Sequence, residues 1–443
     1  MINPEFKRNL WLQFSLHRLI AMPAILGLIF FTLSIANNNF PGAVAQDSVA
    51  VILFIGIVGL WGTRNAGNAV IEEIRDKTWD QQRMSALNPW TMTWGKLFGA
   101  TAFNWYGGVL CLLAFVIAAL ARERSMILAD GLTLAALGIL MHAATMALNL
   151  HLMRSDMRAV QRGGVTWVVL LIVFVFSSPF RSEIDSSIVW WGHMFYYRSF
   201  LAASTVFFAA IAVFAAWRSM SSALQIATVP WAWPLACCLL AAYVAGFSDG
   251  AGLLWIALLL AVAMTYAALF SEKNDIALWQ RIAARVKAGN WRGMFWNLPI
   301  WTTTLILGFC FALLLQLNAG QALPFELPFR LSAAAVGISF LAPTLALMLL
   351  RDSCVYLFFA FSGTSKRVGA TTILYLAIIN GLLPFLCNAM GLKALSLFFM
   401  PLHVGSGWAM LGIAALHAAL ALALLGWRWR RQALKDDLPR QFN

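Results

Sequence analysis

The chain is expected to be an all-α, polytopic membrane protein with about twelve spanning helices in two parallel six-helix repeats and both termini in the cytoplasm. Three observations carry that expectation. Of 443 residues, 61% are hydrophobic and 11% are charged. The apolar residues gather into stretches of roughly 20, the length a helix needs to cross hydrocarbon with its backbone groups bonded internally. Basic residues concentrate in alternate connecting segments, as they do where one side of the bilayer is the cytoplasm.

The apolar stretches run over 19–36, 47–66, 97–120, 126–151, 164–180, 197–217, 231–247, 251–270, 298–317, 331–350, 368–388 and 402–427. With the N-terminus inside, Lys7, Arg8 and Arg18 precede the first span. Arg64 lies at the inner end of the second, Arg75, Lys77, Arg83 and Lys96 lie between the second and third, and Arg351 falls at the inner end of 331–350. In all, 25 of the 31 Lys and Arg residues lie on the cytoplasmic side. The other six are Arg122, Arg124, Arg181, Arg198, Arg330 and Lys393. The net charge of +13 therefore reports topology, and no nucleic-acid partner is expected. The six cysteines lack metal spacing and read as small buried hydrophobes. The "AVA" at 43–45 is not expected to be a cleavage site, because the apolar run before it is long enough to span.

Internal similarity divides the chain into 1–218 and 219–443. Arg162, Gly164, Thr166, Pro179 and Phe180 recur 205 residues later as Arg367, Gly369, Thr371, Pro384 and Phe385. His193, Trp217 and Arg218 recur as His403, Trp427 and Arg428, and Glu73, Asp76 and Gln81 as Glu272, Asp275 and Gln280. "LMRSD" at 152–156 matches "LLRDS" at 349–353. Six spans per half is an even number, so the halves run in the same direction. Each half opens with a segment suited to the inner interface, "PEFKRNLWLQFSLHR" at 4–18 and, more weakly, "WRSMSSALQIATVPW" at 217–231.

The densest polar run, "EEIRDKTWDQQRMSALNPWTMTWGK" at 72–96, lies between the second and third spans. Residues 71–87 read as a short helix, with Glu73 and Lys77 in the favourable acid-first order for a pair four apart. Trp79, Arg83 and Leu87 would share one face. Asn88-Pro89 would end the helix, and Thr91 or Thr93 would start the next. A solvated loop would leave Trp79, Met84, Leu87, Trp90 and Trp94 near water, so a cytoplasmic protein partner is the better reading.

This segment resembles the intracellular coupling region of ABC-2-type permeases, the type V or ABCG-like exporter fold. In that family an acidic start, a Thr, a Gln, a Leu, a Pro and a Gly-Lys follow in order. Glu73, Thr78, Gln82, Leu87, Pro89, Gly95 and Lys96 fit that order. The family usually has Gly before the Thr, where this chain has Lys77. The resemblance implies an exporter in a bacterial cytoplasmic (inner) membrane, with two separate ATPase subunits beneath one chain. Homodimerisation is the less favoured arrangement. Those subunits would bind ATP and Mg, and this chain would bind no cofactor and carry no catalytic site. No G-x-x-x-x-G-K-[ST] occurs, in keeping with a separate ATPase. The implied docking residues are Glu72, Glu73, Arg75, Asp76, Thr78, Trp79, Gln82, Arg83, Leu87, Pro89, Gly95 and Lys96. A divergent second segment at 271–293 offers Glu272, Asp275, Gln280, Arg281 and Arg285, without the Pro and the Gly-Lys. The family's path-lining spans correspond to 47–66, 164–180, 251–270 and 368–388. Their less bland positions are Trp61, Asn65, Trp167, Trp255, Tyr266, Thr371, Tyr375 and Asn380. Such walls suit an apolar or amphipathic substrate.

Other polar residues of the spans read as follows. His142 and His151 share one span and His417 stands on the last, without the carboxylates a proton relay needs; interhelical hydrogen bonding is the expectation for His142. Asn104, Asn149 and Asn380 read the same way, and Asp130 is expected to be hydrated near the outer surface. The main alternative is a twelve-helix secondary transporter driven by an ion gradient. It would need fixed charge near mid-membrane, of which the sequence shows almost none. A scaffold or lipid-modifying enzyme is a third class, opposed by the lack of a catalytic constellation.

Overall fold

The computed structural model describes residues 3–39, 46–155 except 86, 187–226, 231–248, 250, 252–318 except 273, 340–362 and 367–436 except 405. Among these, ten helices are long and apolar enough to cross a bilayer. A two-stranded hairpin, Ser187–Trp190 and His193–Tyr196, is the only sheet among the described residues. The chain is thus a multi-pass, all-α membrane protein. The expected span 164–180, with Trp167, lies outside the described residues. The expected 231–247 is a shorter helix, Ala232–Ala245, extended by one 3₁₀ turn to Ser248. The expected 331–350 is displaced to Leu341–Ala360.

Backbone proximity divides the chain into two units, Met1–Val189 with Met194–Thr228, and Trp190–His193 with Val229–Asn443. In the first unit, α1 (Pro4–Gln13) starts with the Asn3 side chain accepting from the Glu5 and Phe6 amides, and with Pro4 where no amide is needed. It is followed by α2 (Leu16–Asn39), α3 (Gln46–Phe54), a π-helical stretch (Ile55–Gly62) and α4 (Thr63–Arg75). Then come α5 (Trp79–Arg83), α6 (Pro89–Gly99), α7 (Ala102–Ala121), α8 (Ile127–Ser155) and α9 (Tyr197–Ala223). The second interfacial segment, expected at 217–231, is not separate at its start: residues 217–223 complete α9.

The π stretch widens the helix and turns carbonyls out of the regular ladder, and side chains meet them. His142 on α8 donates its Nε2–H to the Val58 carbonyl at 2.8 Å, and Asn104 on α7 donates to Ile57 at 2.9 Å. Asn65 donates to Asn104 at 2.9 Å. Gly62 permits this approach, since a Cβ there would lie 2.5 Å from His142 Nε2. His142 is accordingly an interhelical hydrogen-bonding residue, as expected, and Asn149 also bonds between helices, to Gly67 at 3.3 Å.

At the opposite end of this unit from the polar segment, Asp47 pairs with Arg122 at 3.1 Å and Arg124 at 2.7 Å. Asp130 pairs with Arg198 at 3.2 Å and Arg124 at 3.6 Å. Both carboxylates are buried, so Asp130 is not the hydrated surface residue the sequence suggested. Three of the six basic residues that break the charge asymmetry are paired here, and the two carboxylates offset two of their three charges.

The second unit contains α10 (Ala232–Ala245), α11 (Leu253–Ser271), α12 (Ile276–Lys287), α13 (Trp291–Phe295), α14 (Ile300–Leu317) and α15 (Leu341–Ala360). It continues with α16 (Val368–Ala377), a second π stretch (Ile378–Leu382), α17 (Leu383–Ala389), α18 (Lys393–Phe399) and α19 (Gly407–Asp436). Here α11 packs on α14 and α15 on α19. The position of α15 moves Arg351 and Asp352 from an expected helix end to the middle of an apolar helix, where both are buried.

Candidate functional sites

The polar segment at 72–96 is a folded hairpin, not one helix. The second span continues without interruption through α4, so its helix reaches Arg75. The chain then reverses at Asp76–Thr78, with Lys77 in the left-handed region at φ 59°. Glycine enters that region without the Cβ penalty that Lys77 carries. Lys77→Gly should therefore leave the fold intact and raise stability by up to about 1 kcal/mol, read as a small upward shift in melting temperature. A loss of stability would show that the turn is not strained.

The turn is closed by Thr78, whose amide and hydroxyl both donate to the Glu73 carbonyl, at 2.9 and 3.2 Å. Only Trp79–Arg83 is helical beyond it, so Leu87 does not share a helical face with Trp79 and Arg83. Nor is Asn88-Pro89 merely a stop. Asn88 caps α6 by accepting from the Thr91 amide at 2.7 Å, and Pro89 takes the first helical position. Trp79 is buried against Val70, Met92, Leu97 and Met146, which pins the short helix to the spans.

Glu73 organises the hairpin. Instead of pairing with Lys77, it accepts from Lys96 on α6, Arg8 on α1 and Gln82 on α5. Lys96 also lies 3.2 Å from Glu5, and Glu5 pairs with Arg8 at 2.8 Å. Two carboxylates and two cations balance, which is what makes burial of Lys96, only 1% exposed, tolerable. Asn9 donates to Glu5 at 3.1 Å and to the Gly95 carbonyl at 3.3 Å, and Asn3 donates to the Thr91 carbonyl at 2.7 Å. The helices α1 and α6 touch backbone to backbone because Gly95 and Gly99 face them. A Cβ at Gly95 would meet Glu5 Cβ at 2.6 Å, and one at Gly99 would meet Asn9 Cβ at 2.7 Å. The other face of α1 leaves Trp11 and Leu12 exposed, as an interfacial helix would.

This geometry sorts the sequence-predicted residues. Trp79, Gly95 and Lys96 are interior, and Glu73 and Gln82 face the interior network. Glu72, Arg75, Asp76 and Thr78 are exposed, and Arg83, Leu87 and Pro89 are half-buried. Asp80, Gln81 and Met84 join the exposed edge, Met84 being 82% exposed. A cleft of about 400 Å³ opens between α1 and α4, lined by Arg8, Gln13, Asn65, Asn68, Glu72 and Asp76 among others. Glu5 and Arg8 were not among the predicted residues; their signal was the i, i+3 acid–base pair just after an Asn-Pro cap.

The second segment is built differently. Asp275 caps α12 by accepting from the Leu278 amide at 2.9 Å, and Glu272 accepts from the Ile300 amide at 2.9 Å at the start of α14. Arg285 donates to the Gly293 carbonyl at 2.6 Å. Arg281 is exposed and Gln280 half-buried. With Arg281 donating to the Ala277 carbonyl at 3.3 Å, four of the five named residues hold local structure.

The predicted path residues divide as well. Trp61 is 47% and Tyr375 48% exposed, and Thr371 donates to the Arg367 carbonyl at 3.1 Å. Trp255 is buried among Leu258, Ala312 and Leu341, a packing position within its unit. Tyr266 donates to Asp352 at 2.6 Å. The Oδ1 of Asn380, in the second π stretch, has no hydrogen-bond partner among the described residues. No group of three or more His, Cys, Asp or Glu residues suited to a metal occurs among the described residues. No known protein family, curated protein or solved structure matches this chain.

Proposed function

We propose that this chain is the membrane subunit of an ATP-driven transporter, an exporter of apolar or amphipathic molecules, and that a separate cytoplasmic ATPase docks on the hairpin at 72–96. The supporting observation is the Glu73 network. A docking element that carries motion into the membrane must be stiffly joined to the helices it moves. Glu73 lies in the last turn of the unbroken helix of the second span, Lys96 sits on α6 ahead of the third, and Arg8 brings in α1. The exposed edge, Glu72, Arg75, Asp76, Thr78 and Met84, is the surface left for the partner. The basic side of the chain is then the cytoplasmic side of a bacterial inner membrane.

Docking and internal stiffness are separable by mutation. The double substitution Arg75→Glu and Met84→Asp alters only exposed side chains, which usually changes stability by no more than about 0.5 kcal/mol. It should leave the melting temperature unchanged while co-purification of the ATPase falls at least tenfold. Undiminished co-purification would overturn the docking assignment.

A second reading, the secondary transporter, gains from one finding. Arg351 and Asp352 supply buried charge in mid-helix, where the span pattern alone places almost none. Transport that stops with an uncoupler while ATP is intact would favour that reading over ours.

A further inference from the structure

Tyr266, expected to face the transport path, belongs to a buried network on α11 and α15. Its hydroxyl donates to Oδ2 of Asp352 at 2.6 Å. The Oδ1 of Asp352 takes both contacts from Arg351, from Nε at 2.7 Å and from Nη2 at 2.6 Å. Arg351 is 5% and Asp352 6% exposed. Crowding both contacts onto one oxygen leaves Nη1 with no acceptor among the described residues and Nη2 with none in hydrogen-bonding geometry. His417 on α19 lies within electrostatic reach of Arg351, and its buried Nδ1 also has no hydrogen-bond partner among the described residues.

Guanidinium donors left without a hydrogen bond inside an apolar unit are costly, even where one of them keeps its ion pair, and native proteins rarely leave them so. Their arrangement asks for an oxygen acceptor, and charge decides which kind. Arg351 and Asp352 cancel. A carboxylate added beside them would leave a net negative charge in an apolar setting, whereas a neutral carbonyl oxygen would satisfy the donors and add none. Arg351 and Asp352 are sealed from the surface and Tyr266 is the half-buried member, so a ligand oxygen would have to enter past the Tyr266 ring. Beside it stand the rings of Phe270 and Tyr356, 5.4 Å apart, a wall suited to an apolar body.

We infer that the Arg351–Asp352–Tyr266 network binds the uncharged carbonyl oxygen of an amphiphile, an ester or an amide, attached to an apolar chain. That this amphiphile is the transported substrate rests on the function proposed above; the binding itself does not.

The test uses the full chain in lipid nanodiscs and two spin-labelled probes, methyl stearate and stearate, with bound probe read from the immobilised fraction. Wild type should hold the ester about tenfold more tightly than the acid. The double variant Arg351→Met, Asp352→Leu removes the pair together, which proteins often tolerate well, and should lose that preference. Asp352→Asn leaves Arg351 uncompensated and should reverse the preference toward stearate. Equal ester binding in wild type and the double variant would overturn the site, as would a wild-type preference for the acid. Co-purification of the ATPase with the double variant is measured in parallel. Its loss in wild type as well would count against the transporter reading and leave the binding result standing.

Discussion

Glu73→Ala should destabilise the folded chain by about 3–5 kcal/mol and abolish association with any partner that grips the hairpin. Glu73 is shared by Lys96, Arg8 and Gln82, which sit on three different helices. Removing it leaves Lys96 buried with Glu5 alone, at 3.2 Å. The cost lies in stranding a buried cation more than in losing contacts. A rescue follows from that cause: adding Lys96→Met to Glu73→Ala removes the stranded charge and should recover most of the lost stability. Thermal unfolding of the single and double variants in detergent measures the coupling. A double variant no more stable than the single would mean that Glu73 acts through its bonds to Arg8 and Gln82.

Gly95→Val should detach α1 from the hairpin. The space a Cβ would need is filled by the Glu5 Cβ at 2.6 Å and by the Phe6 amide nitrogen at 2.9 Å. The second of these is backbone and cannot swing aside, so α1 must move as a body. It would then lose the Asn9 bond to the Gly95 carbonyl, the Asn3 bond to Thr91 and the Glu5–Lys96 contact together. The expected cost is about 3 kcal/mol, the upper end for overpacking. Amide exchange over residues 4–13 should rise at least tenfold while exchange in α7 and α8 stays slow. Unchanged protection of α1 would show that it is held elsewhere.

Most of the span pattern could be read from composition, because lipid imposes one rule on every crossing helix: length and apolarity. The exceptions have definite causes. Leu341–Ala360 was misplaced because Arg351 and Asp352 look like a helix end when counted singly, yet as a pair they cancel and can sit inside. The helix expected at 71–87 was cut short because Lys77 adopts a left-handed turn that nothing in its side chain announces. Glu73, Gln82 and Lys96 stood out as polar residues near a membrane. Whether they faced outward or inward depended on Glu5 and Arg8, more than 60 residues away in the chain. Local spacing carries no trace of such a partnership. The Gly95 and Gly99 pair was legible only in part: Gly95 matched a family order, but its physical role requires α1 beside it.

The pairing of Arg122, Arg124 and Arg198 with Asp47 and Asp130 bears on how the chain is threaded into its bilayer. In the orientation implied by the charge asymmetry, those three guanidinium groups must be translocated against a potential that is negative inside. Each uncompensated charge meets opposition of about 2.3 kcal/mol per 100 mV. The two aspartates travel with them and are driven the same way by that field. In that orientation Asp47 and Asp130 would serve as counter-cargo, offsetting about two of the three charges while the polypeptide is being inserted.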